Sequence, residues 1–227
     1  MGQADILIVA PVASDLEALS ALLGRGLSGS CAGLAVVANA VGIGMPSASG
    51  RTGARIESLR PRVVVLVGTC AAYPGRGLVP GQVVVGDRIV LADAMVLQGR
   101  SSFPDPMAVS LETHRVITSA LVGVGMRKVG IGSPISTTTD LAVASAFAMR
   151  LSCDVEYSEA FGVGLACAPT QVPFVAVLGV SHEIGPAARE SWRVNHRNAS
   201  HAALGLVMSW IQAGAVGLAH RTTSMSP

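Results

Sequence analysis

Four polar side chains are candidates for catalysis, because Asp15, Glu156, Glu159 and His182 each lie at or just after the end of a predicted strand. Ligands of parallel α/β sheets bind at the carboxyl ends of the strands. A carboxylate can orient water or accept its proton, and an imidazole can donate or accept a proton near neutral pH. These residues predict an enzyme with a carboxylate-lined pocket.

Three of these candidates also have ordinary structural interpretations. Asp15 and Glu159 fall in the first turns of predicted helices, where a carboxylate stabilises the helix dipole by about 0.3–1 kcal/mol. His182 can equally be a hydrogen-bonded loop residue. Residue type and spacing alone therefore leave the catalytic and the structural interpretations open.

Two familiar motifs are incomplete in this sequence. Gly42-x-Gly44-x-x-Ser47 lacks the third glycine of a dinucleotide-binding turn, so it indicates a tight turn in which backbone approaches something closely. Gly179-x-Ser181-x-Glu183 lacks the last glycine of a nucleophile elbow, and no Asp follows it, which argues against a serine hydrolase. The five histidines show no metal-binding spacing, so no metal is expected.

Two apolar runs predict the centre of a sheet. Val63–Val67 and Pro173–Ser181 are continuous and rich in β-branched residues, which is typical of strands covered on both faces. Predicted helices alternate with these and other strands. The pattern predicts the α/β class: a single three-layer α/β/α domain over residues 1–227, with a mostly parallel mixed sheet and a loose tail over 214–227.

Three predicted helices bear on the site. Ser14 and Glu17 have the spacing of a capping box, which predicts an α-helix from there to Leu23. The pattern also predicts a helix over 110–123 and a long helix over 186–213 that is broken near Asn198.

Composition excludes several classes of protein. Of 227 residues, 50% are hydrophobic and 13% charged, which rules out intrinsic disorder and indicates that another subunit covers part of the surface. The net charge is +2 and the arginines are scattered, so no nucleic-acid partner is expected. The four cysteines lack CxxC spacing, and neither a membrane span nor a secretory signal is recognisable, so we expect a cytoplasmic protein.

The order of motifs resembles the nucleoside phosphorylase/nucleosidase superfamily over about residues 5–213. The matching segments are Ile6–Ala10 (ILIVA) with Asp15, Val41–Gly44 (VGIG), Val67–Ala72 (VGTCAA) and Val79–Asp87 (VPGQVVVGD). In the carboxy-terminal half, the resemblance is to the futalosine hydrolase branch. There the matching segments are Glu156–Val163 (EYSEAFGV), Val172-Pro173, Val180–Pro186 (VSHEIGP) and Trp192–Val194 (WRV).

The resemblance implies a nucleoside phosphorylase-like fold and a role for three of the four catalytic candidates. Glu159 matches the residue that holds the ribose hydroxyls, and Asp15 the acid that orients the attacking water. His182 lies where the leaving base is bound or protonated. The same resemblance implies a substrate-binding set of Gly68, Thr69, Cys70, Thr137, Thr138, Tyr157, Ser158 and Phe161. It implies no metal or organic cofactor, a nucleoside-like small-molecule substrate and a homo-oligomer.

Hydrolysis is preferred to phosphorolysis because two phosphate-binding features of the superfamily are missing. Leu66 occupies the position of a phosphate-binding arginine, and Pro11–Asp15 replaces an arginine-containing loop. An aspartate where phosphate would sit repels it, whereas an attacking water needs such a carboxylate. The resemblance therefore implies a hydrolase that releases a hypoxanthine-type purine from a riboside such as futalosine.

Two departures from the superfamily pattern keep other substrates open. Ser158 replaces a methionine that underlies the ribose, and His182 replaces an Asn or Asp at the base edge. A neutral imidazole there would donate to N7 or O6 of a purine, and a protonated one would supply the leaving-group proton. The alternatives are a methylthioadenosine/S-adenosylhomocysteine-type nucleosidase, a phosphate-dependent phosphorylase, and a divergent homologue that acts on or only binds another small molecule.

Overall fold

A computed structural model describes residues 3–123 and 126–219 of the chain as a mixed β-sheet flanked by helices. The strands are β1 (Ile6–Ala10), β2 (Ser28–Cys31), β3 (Leu34–Ala40), β4 (Val63–Ala72), β5 (Val83–Ala92), β6 (Ser110–Glu112), β7 (Arg127–Pro134), β8 (Val155–Glu156) and β9 (Phe174–Glu183). The α-helices are α1 (Ser20–Leu23), α2 (Met45–Leu59), α3 (Ala94–Leu97), α4 (Arg115–Leu121), α5 (Leu141–Arg150), α6 (Glu159–Cys167) and α7 (Ala188–Gln212), and short 3₁₀ helices cover Ala13–Leu19 and Ala168–Thr170.

The sheet is partly closed on itself. Its strands follow the order β2-β3-β1-β4-β8-β7-β5-β6, and β9 pairs with both β4 and β5. Strands β4, β9, β5, β7 and β8 therefore form a ring of pairings. Strand β5 changes register after Gly86, where a side chain would collide with Ile131, so this glycine lets the neighbouring strands come together.

Helices cover both faces of the sheet, which confirms the three-layer α/β/α class. Helices α2 and α6 pack on one face through residues such as Ile56 and Phe161. Helices α4 and α7 pack on the other through residues such as Ile117 and Val207. The central strands β4 and β9 are buried over the apolar runs Val63–Val67 and 174–181, as those runs predict, because both faces of the sheet are covered there.

The capping box predicted at Ser14 is wrong. The segment forms a 3₁₀ helix whose N-cap is Val12, without a side-chain cap. Leu16 and Leu19, three residues apart, are both buried, a spacing that matches the three residues per turn of a 3₁₀ helix. The local cap is thus overridden by packing on the sheet.

The other two predicted helices also differ from the structure. The range 110–123 contains strand β6, which pairs antiparallel with β5, before helix α4 begins. Helix α7 is unbroken at Asn198, because buried Ala199, Ala203 and Val207 keep one continuous face against the sheet.

The first residues of the predicted tail are packed. Ala215 is buried, the Trp210 indole donates to the Val216 carbonyl at 3.0 Å, and the Arg62 guanidinium donates to the Ala219 carbonyl. Residues 220–227 lie outside the described part of the chain. No helix among the described residues is long and apolar enough to cross a membrane.

Candidate active site

A cavity of about 550 Å³ opens at the carboxyl ends of β1, β4 and β9. Its charged or titratable lining residues are three carboxylates, two imidazoles and a tyrosine, and no Arg or Lys is among the lining residues of the described chain. The lining consists of Pro11, Val12, Ser14, Asp15, Ile43, Gly44, Thr69, Ala71, Ile135, Thr137, Glu156, Tyr157, Ser158, Glu159, His182, Trp192 and His196. All four residues predicted from strand ends meet in this one cavity.

Glu159 is buried at the first residue of α6 and is held by backbone. Its Oε1 accepts a hydrogen bond from the Gly44 N–H at 2.7 Å, at the N-terminus of α2. Gly44 has φ +86°, a left-handed conformation that favours glycine. The predicted tight turn therefore places the Gly44 N–H at the carboxylate of Glu159. The second carboxylate oxygen of Glu159 has no protein partner among the described residues and remains available to a ligand.

The start of α6 is fixed from the other side by Ser133 at the end of β7. The Ser133 hydroxyl donates to the Ser158 carbonyl at 2.7 Å and accepts from the Phe161 N–H at 3.1 Å. A side chain at Gly162 would overlap the Met45 carbonyl, so α6 and α2 touch through backbone at this point. Glu159 is therefore positioned by two helices and a strand.

Asp15 lies on the 3₁₀ helix after β1 and is 8% exposed. Burial raises the pKa of its carboxyl from 3.8 to about 6, the Glu159 carboxylate adds to the rise, and His196 and His201 oppose it. A carboxyl with this pKa is ionised at neutral pH and is a stronger base than an exposed aspartate. It is suited to accept a proton from water.

Glu156, at the end of β8, is the third carboxyl group of the cavity. Its Oε1 accepts from the Thr138 N–H at 2.9 Å and its Oε2 from the Tyr73 hydroxyl at 3.3 Å. Burial raises its pKa, while these hydrogen bonds from Thr138 and Tyr73 act in the opposite direction. The sequence assigned no role to Glu156, and its contacts link the loop after β7, which carries Thr138, to the buried Tyr73.

His182 is carried by β9, where the pairing with β4 contains a bulge. Cys70 pairs with Val180 and Ala71 with His182, so Ser181 is the extra residue. The Ser181 hydroxyl donates to the Cys70 carbonyl at 3.1 Å and lies 2.9 Å from Nδ1 of His182. Burial lowers the pKa of His182, so its ring is neutral at neutral pH.

Two lining residues on α7 were not among the predicted site residues. Trp192 and His196 are stacked, with ring centroids 4.4 Å apart and an interplanar angle of 16°. Their spacing of four residues places them on one helical face, which is the sequence signal that was available. The strand-end rule does not find them, because it ignores a helix that crosses the mouth of the cavity.

The predicted substrate-binding residues fall into two groups. Thr69, Thr137, Tyr157 and Ser158 line the cavity. Cys70 and Phe161 point into the core, Gly68 lies under the Tyr157 hydroxyl, and Thr138 contributes its N–H to Glu156 instead of a lining side chain. Direct contact with a ligand remains a prediction for the first group. No cluster of metal-ligating side chains is found among the described residues.

The fold is that of the nucleoside phosphorylases and nucleosidases, which confirms the fold that the resemblance implied. A 5′-methylthioadenosine/S-adenosylhomocysteine nucleosidase from Neisseria meningitidis, in complex with methylthio-immucillin-A, is similar with a TM-score of 0.80 at 18% identity, covering 92% of this chain and 98% of that one. Helicobacter pylori supplies two further similar structures. Its methylthioadenosine/S-adenosylhomocysteine nucleosidase has TM-score 0.83, 14% identity and coverage of 94% and 100%. Its futalosine hydrolase has TM-score 0.80, 13% identity and coverage of 92% and 97%.

Comparison at the level of sequence finds no counterpart. No family model matches the chain, and no curated protein matches it. The similarity to known proteins is therefore one of fold.

Proposed function

We propose that this chain is a purine N-riboside hydrolase of the nucleoside phosphorylase/nucleosidase superfamily. The observation that carries the proposal is the composition of the cavity: Asp15, Glu156 and Glu159 line it, and no Arg or Lys does in the described chain. The similar solved structures include nucleosidases of two substrate types, which supports the same reaction class.

In the proposed mechanism, Glu159 binds the sugar. One of its oxygens is held by Gly44, and the other accepts hydrogen bonds from the ribose hydroxyls. These bonds strengthen as the sugar gains positive charge in an oxocarbenium-like transition state, and such differential binding lowers the barrier. Asp15 orients the attacking water and takes its proton, a role that its raised pKa favours. The purine departs with the electron pair of the broken glycosidic bond and takes up one proton from solvent, which balances the proton that the water loses.

Water is the proposed nucleophile because the cavity repels phosphate. A phosphate dianion next to ionised carboxylates needs arginine or lysine to neutralise it. Arg51, on α2, lies near Gly42, but it is not among the residues that line the cavity. This supports hydrolysis over the phosphorylase alternative.

The carboxy-terminal motifs resemble the futalosine branch, which makes futalosine, a 6-oxopurine riboside, one candidate substrate. A methylthioadenosine-type riboside, whose base carries a 6-amino group, is the other candidate, and the hydrogen bonding of His182 favours it over futalosine. No step of the mechanism calls for a metal or an organic cofactor. The apolar residues around the cavity, such as Ile43 and Ile135, fit a homo-oligomer in which a second copy covers them.

The proposal is tested by measuring free base released from a panel of nucleosides, each with and without phosphate. The panel contains futalosine, aminofutalosine, methylthioadenosine, S-adenosylhomocysteine, inosine and adenosine. Base release that does not depend on phosphate is expected from at least one of them. A rate that requires phosphate supports the phosphorylase alternative. If no nucleoside of the panel releases free base, the proposed activity is refuted.

A further inference from the structure

We infer that a hydrogen-bond relay from Cys70 through Ser181 fixes His182 as an acceptor toward the substrate, so that the site selects 6-aminopurine over 6-oxopurine ribosides. The inference rests on the proposed function and names the base that the same cavity takes. It assigns His182 the opposite of the donor role that the sequence suggested for a neutral imidazole.

The Ser181 hydroxyl has a single proton and two neighbours that could share it. Ser181 is fully buried, and its oxygen lies 3.1 Å from the Cys70 carbonyl and 2.9 Å from Nδ1 of His182. A carbonyl oxygen can only accept, so the hydroxyl proton must point to Cys70 if that contact is to be a hydrogen bond. The opposite orientation would set two oxygen lone pairs against each other in a buried site, which costs free energy.

The orientation of the Ser181 hydroxyl determines the tautomer of His182. With its proton given to Cys70, the Ser181 oxygen can only accept from the imidazole, so Nδ1 carries the ring proton. Burial keeps the ring neutral, and a neutral imidazole has one N–H. Nε2 therefore carries a lone pair, and it has no partner among the described residues.

In the proposed mode of binding, the edge of the purine formed by N7 and the 6-position faces this lone pair. His182 lines the cavity beside Ala71, and Nδ1 is turned to Ser181, so Nε2 is the ring atom left for a ligand. At the edge formed by N7 and the 6-position, adenine offers an N–H donor, whereas hypoxanthine offers only acceptors. The lone pair of Nε2 binds the first and repels the second.

The bulge in β9 explains how the relay is built. The extra residue Ser181 places its hydroxyl at Cys70 on the neighbouring strand, and the next side chain, His182, is aimed into the cavity. Bulges at the ends of strands commonly re-aim a side chain next to a site. The Ser191 hydroxyl on α7 donates to the Ser181 backbone carbonyl at 3.3 Å. It is hydrogen-bonded to neither the Ser181 hydroxyl nor the His182 ring, so a substitution at Ser191 is a matched control.

The test compares nucleosides that differ only at the 6-position: adenosine against inosine, and methylthioadenosine against methylthioinosine. For the unaltered protein at neutral pH, kcat/KM should favour the 6-amino member of each pair by about 10–100-fold. Ser181→Ala removes the acceptor at Nδ1 and frees the other tautomer, so the preference should fall by about 10-fold or more. Ser191→Ala should keep the preference of the unaltered protein.

Two measurements do not require turnover. ¹⁵N NMR of labelled protein should show His182 protonated at Nδ1, and calorimetry should show tighter binding of free adenine than of free hypoxanthine. If no nucleoside is cleaved but adenine binds more tightly, the proposed function fails and this inference stands. A protonated Nε2, equal or reversed base preference, or binding of neither base overturns the inference, whereas cleavage of 6-oxo substrates would leave the proposed function intact.

Discussion

In the proposed mechanism, the two carboxylate oxygens of Glu159 have different roles. One accepts from the Gly44 N–H, and the other, which has no protein partner among the described residues, binds the sugar. Glu159→Gln keeps the shape but loses the charge that attracts an oxocarbenium-like sugar. We expect kcat to fall about 100-fold or more, with the thermal midpoint changed by less than about 3 °C. Steady-state kinetics and thermal unfolding check this.

The matched control for that variant is Glu57→Gln, which makes the same change at an exposed position of α2. It should leave both turnover and thermal midpoint as they are. Unchanged turnover in Glu159→Gln would remove Glu159 from the mechanism.

Asp15 should impose an acid limb on the pH profile. Its pKa of about 6 means that the carboxylate is protonated, and unable to accept a proton from water, below that pH. We expect kcat/KM to fall about tenfold per pH unit as the pH drops below about 6. A profile that stays flat well below pH 6 would contradict the role of Asp15 as the base.

Ionisation of Asp15 should lower the free energy of unfolding of the protein. Because folding raises the pKa of Asp15, its ionised carboxylate destabilises the folded state. This destabilisation is absent below about pH 3.8 and complete above about pH 6. Asp15→Asn should therefore be more stable than the unaltered protein by about 1–2 kcal/mol at pH 8 and equal to it near pH 3.5. Denaturant unfolding at the two pH values measures this, and an advantage that grows toward acid would refute it.

Four cavity residues were predictable from the sequence, because the rule that ligands lie at strand ends applies to each of them. These residues are Asp15, Glu156, Glu159 and His182, and all four line one cavity. It missed Trp192 and His196, because their place depends on how α7 crosses the sheet. The contact of Ser181 with Cys70 depends on a β-bulge, and no local sequence pattern predicts that bulge.

At the scale of secondary-structure elements, the contact between α2 and α6 positions Glu159, the carboxylate that we propose binds the sugar. A side chain at Gly162 would overlap the Met45 carbonyl, so Gly162→Ala must push α6 away from α2. We expect a loss of about 1–3 kcal/mol in the free energy of unfolding. Because α6 carries Glu159, kcat should fall as well.

The matched control is Gly50→Ala in α2, where an added side chain meets no atom within 4 Å. A helix-interior glycine replaced by alanine should stabilise the protein by about 0.5–1 kcal/mol and leave kcat unchanged. Equal effects of the two substitutions would show that the α2–α6 contact does not position the site.

Elements with continuous patterns were predictable, and those decided by tertiary contacts were not. β4 and β9 follow from apolar runs that only a doubly covered strand would carry. Strand β6, inside the range predicted as helix 110–123, forms because β5 offers it an antiparallel edge. The 3₁₀ form of Ala13–Leu19 results from burying Leu16 and Leu19, which overrides the capping signal at Ser14.

At the scale of the whole molecule, exposed apolar side chains beside the cavity lead us to expect that identical chains associate. Ile43 and Ile135 are 73% and 68% exposed, and both line the cavity. We expect light scattering to give a mass that is a multiple of 23.0 kDa. A monomer at micromolar concentration would contradict this expectation.

The proposed reaction class depends on the charge of the whole cavity, which has three carboxylates and, in the described chain, no lining Arg or Lys. The most direct test is to identify by mass spectrometry the sugar released from a cleaved nucleoside in saturating phosphate. The account predicts free sugar, with a rate unchanged by phosphate, because the cavity repels the anion and positions water. Sugar 1-phosphate as the product would contradict it and identify a phosphorylase.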